Sequence, residues 1–175
     1  MNSADTTAGS LDTELLLAAT PAAAAPTERA QAIDCGGISV AVPFSWARSV
    51  VENFELSEVP SAPAWLAGAA NVDGHIVAVV DLAAWAAPEH TPPAALSSRL
   101  LMGGEGDTMF ALRFSGLPAM VRCAPATALA IDEFDVPAAL RPYIAAVASH
   151  DSSARRWPVV DMAALTKAWT ADIVA

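Results

Sequence analysis

A chain of 175 residues, 54% of them hydrophobic, is long enough to bury one ordinary core or two small barrels that share an interface. Nine basic residues against nineteen acidic ones give a net charge of −10. Lys167 is the sole lysine and Arg155-Arg156 the one basic pair, which argues against nucleic acid or an anionic membrane surface as partner. No apolar run reaches the roughly 20 residues of a membrane span. Cys35 and Cys123 are too few for a disulfide framework and read as buried structural thiols.

Residues 1–31 are rich in Ser, Thr, Ala and Pro, without alternation, and read as a disordered tail and linker. Within them Ser10 stands as N-cap to a short helix, with Glu14 in its first turn and Leu11 and Leu15 one turn apart. Such a helix is marginal alone, so it is either a frayed tail or a docking element. The LLLAAT run lacks the positive flank of a secretion signal, since Asp5, Asp12 and Glu14 surround it, and the chain reads as cytoplasmic.

From Ala32 the pattern changes. Ile33 and Ile38–Val42 flank Cys35-Gly36-Gly37 as a hairpin, and 44–51 continues as a strand or a helical turn. Next comes VPSAPAWLAGAANVDGHIVAVVDL, residues 59–82. Pro60 and Pro63 hold a loop extended, and Ala64–Ala67 can turn once as helix before Gly68 stops it. Asp73-Gly74 is a two-residue hairpin signal between strands 69–72 and 75–80, and Asp81 caps a helix over Leu82–Ala86. The proline-rich 87–98 is the best internal boundary. Strands follow at 99–102 and 108–114 around the turn GGEGD, and a further one at 117–123.

The C-terminal part echoes this plan. Tyr143-IAAVASHDSSARRWPVVDM-AALTKAW repeats aromatic, small-residue strand, turn, strand ending Val-Val-Asp, and helix, with Asp161 in the place of Asp81. Residues 170–175 are left as a C-terminal tail.

Catalytic chemistry finds little support. His75, His90 and His150 lack neighbours at metal-ligand spacing, so no metal is expected. Cys35 has no His or cation beside it to make a thiolate. Neither Gly36-Gly37 nor Gly103-Gly104-Glu105-Gly106 is followed by the Lys-Ser/Thr of a phosphate loop, so no cofactor is expected. Asp81 and Asp161 read as helix caps rather than as a paired acid site. What remains is surface, with Trp46, Phe54 and Trp65 as apolar residues near the 59–68 loop that are either core or contact.

The 59–82 run, with its order, spacing and length, resembles the signature of the CheW family of chemotaxis coupling proteins, and the likeness extends over about residues 33–169. It implies a mainly β fold of two small five-stranded, SH3-like barrels packed together and exchanging segments, with a few short helices, over residues 32–169. It also implies a non-enzymatic adaptor that joins the tip of a chemoreceptor to the regulatory domain of a CheA-type histidine kinase. By position, the resemblance places Val42, Phe44, Val59, Trp65, Leu66 and Gly68 near the partner surfaces. The family's usual Arg before the hairpin glycine is Asp73 here, a reversed charge at a partner-facing place. Charge reversal redirects partner choice, which suggests a divergent member serving a pilus-motility or similar array. The alternative is a stand-alone scaffold that uses the same barrel to bind a non-kinase partner or itself.

Overall fold

In the computed structural model, residues 28–89, 98–125 and 131–174 are described. The expected helix after Ser10 and most of the 87–98 connection lie outside them. Among the described residues ten strands and two α-helices follow in order: β1 Arg29–Cys35, β2 Ile38–Pro43, β3 Ala47–Val51, β4 Leu56–Ser57, β5 Leu66–Val72, β6 His75–Val80, α1 Leu82–Ala86, β7 Ser98–Gly103, β8 Phe110–Pro125, β9 Ile144–Ser149, β10 Arg156–Val160 and α2 Met162–Val174. The fold is mainly β, as its sequence predicts.

The strand pairings separate two units. β1 pairs with β2, β2 with β10, β10 with β9, β9 with the second half of β8, and β8 with β1, so five strands close on themselves. The second unit runs β4-β5-β6-β8-β7-β3, using the first half of β8. The first unit thus takes its strands from both ends of the chain, and β8 belongs to both.

Alternation along the strands divides the core accordingly. On β2, Ile38, Val40 and Val42 face a central cluster between the units, while Ala41 faces the interior of the first. That interior is small, filled by Ala30, Ala32, Ala148, Val121, Trp157 and Val159. On β8, Phe110, Leu112 and Phe114 face the centre, and Ala111 joins Val77, Val79 and Leu100 inside the second unit. α1 and α2 close the centre with Leu82, Met162, Leu165 and Trp169.

Two local readings are corrected. Leu117–Cys123 is not a separate strand but the second half of β8: Gly116, at φ +75°, bends the strand without ending it. Ser115 pairs with Asp34 and Ala119 with Ala32, so β8 bulges across β1 while keeping its inward face. Gly68 does not end a helical turn. The turn is confined to Pro63–Leu66, whose N–H donates to the Pro63 carbonyl at 2.9 Å, and Gly68 lies inside β5 at φ +146° where the register against β6 shifts. A Cβ there would stand 2.7 Å from the Ser57 backbone oxygen, so glycine is what lets β4 approach β5. The strand and helix limits also move outward. β1 begins at Arg29, and α2 runs through Val174 instead of giving way to a tail after residue 169.

Candidate partner-binding surface

The β5–β6 hairpin is built by its turn. Asp73 at φ +51° and Gly74 at φ +85° supply the two positive values that a two-residue turn needs. Asn71 Oδ1 accepts the Gly74 N–H at 3.0 Å and fixes the tip. Asp73 is exposed there, with no cation at ion-pair distance among the described residues. Beside it Ile76 is 72% exposed, turned outward by the same alternation that sends Val77 and Val79 inward.

At the other end of the hairpin lie Trp65, Leu66 and Asp81. Trp65 and Leu66 are half-buried, and Trp65 packs on the central core. Its carbonyl accepts the Asp81 N–H at 2.9 Å, and the Asp81 carboxylate accepts the Ala84 N–H at 3.0 Å. The second copy repeats both contacts: Tyr143 O accepts from Asp161 N at 2.7 Å, and Asp161 Oδ1 from Ala164 N at 3.0 Å. Both aspartates therefore hold their helices in the manner of N-caps. Val59 is exposed at 37% in the loop that the β4–β5 approach sets up, beside Leu56, and Phe44 is exposed at 38% after β2.

The residues do not form one patch. Seven residues of β5 separate the Leu66 end from Asp73, about 23 Å at the usual strand rise. Val42 is fully buried and presents no surface; its side chain packs the centre. Gly68 is buried and acts by permitting β4 to approach. Trp46 and Phe54 are half-buried against the central and second-unit cores respectively, and Trp46 lies directly on Gly103. Sequence reading missed Leu117, Met120, Ile173 and Val174, all exposed apolar residues. Alternation of β8 with Val121 inward was the available signal for Met120.

Among the described residues the thiols and histidines stand apart. Burial pushes the Cys35 thiol far above its ordinary range, with the carboxylates of Asp34 and Asp81 adding to the effect. Partial burial, then Glu28, raises Cys123 as well. Both thiols are held as protonated, poor nucleophiles. His150 takes hydrogen bonds from Ser152 in its own turn, and His75 lines a groove that contains no cysteine. Among the described residues no three His, Cys, Asp or Glu side chains gather as a metal site. No helix among them is long and apolar enough to cross a membrane.

The crystal structure of the scaffolding protein TtCheW from Thermoanaerobacter tengcongensis shares the fold, with a TM-score of 0.60 and 12% identity, over 77% of this chain and 89% of that one. No curated protein matches the chain. The family described as CheW-like domain matches residues 31–168, from within β1 into α2. With the repeated strand–turn–strand–helix unit in place at both of its occurrences, the chain belongs to the CheW-like domain family.

Proposed function

We propose that this chain is a non-enzymatic, cytoplasmic adaptor that couples a chemoreceptor to a CheA-type histidine kinase, transmitting the signal through geometry. The observation that carries this reading is the family match over residues 31–168, which takes in nearly the whole described fold. The chemistry agrees with it: both thiols are suppressed, and several large apolar side chains are exposed, the material of protein contacts. Phe44, Leu56 and Val59 are the apolar contact candidates, and Asp73 at the hairpin tip is the candidate for choosing among kinases or receptors.

The test is calorimetric titration of the chain against the regulatory domain of the host's CheA-type kinase and, separately, against the chemoreceptor's cytoplasmic tip. Micromolar dissociation constants, about −8 kcal/mol each, are the expected result. An Asp73→Arg variant run alongside is expected to bind its own kinase more weakly. Binding by the variant alone would mean that the native chain has left this pathway. Binding to neither partner by either protein would overturn the coupling reading in favour of a scaffold for other complexes.

A further inference from the structure

Along α2 runs a mainly apolar groove of about 800 Å³, at the upper end of the range for ligand sites. One wall is α2, through Ala163, Lys167, Thr170 and Val174; the other is the segment from the end of β2 into β3 and the turn after β7, through Trp46, Arg48 and Thr108. Val174 is 81% exposed, so the end of the helix offers apolar surface without cover among the described residues. Arg48 pairs with Glu105, the one carboxylate among the described lining residues, whereas Lys167 has none at ion-pair distance among the described residues.

The described chain starts at the rim of this groove. Glu28 accepts a hydrogen bond from Ser45 Oγ at 2.8 Å, and Ser45 itself lines the groove. Twenty-seven residues precede Glu28, and they contain an amphipathic stretch of matching character: Ser10 as cap, Leu11 and Leu15 one turn apart, Asp12 and Glu14 as acidic flanks. We propose that residues 10–18 dock in cis in this groove, Leu11 and Leu15 on its apolar wall and the acidic flanks facing Lys167. Residues 19–27 reach about 30 Å when extended, and the α2 wall from Ala163 to Val174 spans about 16 Å, so the tether suffices. A short tether holds the segment at an effective concentration in the millimolar range, so a contact too weak to persist between separate molecules is populated within one. Docking would bury the apolar face of α2 in cis, a role separate from the coupling function.

Amide hydrogen exchange read by mass spectrometry on the full chain tests this, with a Leu11→Asp/Leu15→Asp double variant and Lys167→Glu beside it. In the native chain, residues 10–18 and 163–174 are expected to exchange at least fivefold more slowly than in the double variant, with β-strand amides unchanged as the control for folding. Lys167→Glu is expected to lose part of that protection. Free-chain exchange of residues 10–18 in the native protein would overturn the proposal. So would a double variant that leaves 163–174 unaltered. Protection that grows with protein concentration would assign the groove to a second copy and equally overturn docking in cis.

Discussion

Trp169→Ala is the perturbation that most directly tests how the two strand units are joined. Trp169 is fully buried on α2, and its ring meets Trp85 of α1 edge-on at 6.2 Å and Phe110 of β8 at 5.6 Å. Trp85 in turn meets Tyr143 at 5.6 Å. One side chain therefore ties the C-terminal helix to the other helix and to the strand that both units share. Truncating a buried Trp to Ala typically costs about 3–5 kcal/mol, and each edge-on aromatic pair adds about 0.5–1.5 kcal/mol beyond area. The expected loss is therefore about 5 kcal/mol, a large part of the roughly 5–15 kcal/mol that holds a domain folded. At about 2–4 °C per kcal/mol for a chain of this size, Tm should fall by about 10–20 °C. Urea denaturation followed by circular dichroism gives the free energy, and a cycle with Trp85→Ala isolates the ring–ring coupling, expected near 1 kcal/mol. A loss below about 2 kcal/mol with no coupling would refute the joint and make α2 an appendage.

Gly68→Ala should cost about 1–3 kcal/mol, because φ +146° is strained for alanine and the new Cβ meets the Ser57 oxygen at 2.7 Å. Denaturation gives the cost, and faster amide exchange around β4 would show that the Val59 loop has been released. Asp81→Ala and Asp161→Ala each remove one cap hydrogen bond and should cost about 0.5–2 kcal/mol, the two adding in the double variant since the caps share no partner. Cys35 makes stability pH-dependent on the alkaline side. Its folded pKa lies above the unfolded one, so the folded state keeps a proton that the unfolded state gives up. The contribution is complete below the ordinary value of 9.0 and falls above it by up to about 1.4 kcal/mol per pH unit. Denaturation series at pH 8–10.5 should show that decline in the native chain and a flatter profile in Cys35→Ala.

Legibility followed the range of the forces involved. The β5–β6 hairpin and α1 were readable because an Asp-Gly turn and an aspartate cap act within four residues. Gly68 was misread because a glycine after a turn looks the same whether it ends a helix or admits a neighbouring strand; the Ser57 carbonyl that decides the matter is eleven residues away. The separate strand at 117–123 was read for the same reason, since only β1, some eighty residues earlier, carries the sheet across the bend at Gly116. Val42 was assigned to surface because its outward side in the first unit is the inward side of the joint with the second. The CheW signature supplied the one long-range fact that local chemistry lacks, that two such units pack together.

The repeat also separates what must stay fixed from what is free to vary. In both copies the fixed contacts gather at the aspartate end: a carbonyl taken by the aspartate N–H, a capped helix, and a second strand that pairs in parallel with a neighbour, β6 with β8 and β10 with β2. The opposite ends differ, one a two-residue Asp-Gly turn and the other a longer loop held by contacts among His150, Ser152, Ser153 and Arg155. Asp73 thus sits where the fold asks only for a tolerable positive φ, for which Asp is better suited than Arg. Asp73→Arg should accordingly cost no more than about 1 kcal/mol in urea denaturation, well short of unfolding the domain. A change in partner binding by that variant would then be a change of recognition at the tip. A loss above about 2 kcal/mol would instead place Asp73 among the residues that build the fold, and would remove it as a determinant of specificity.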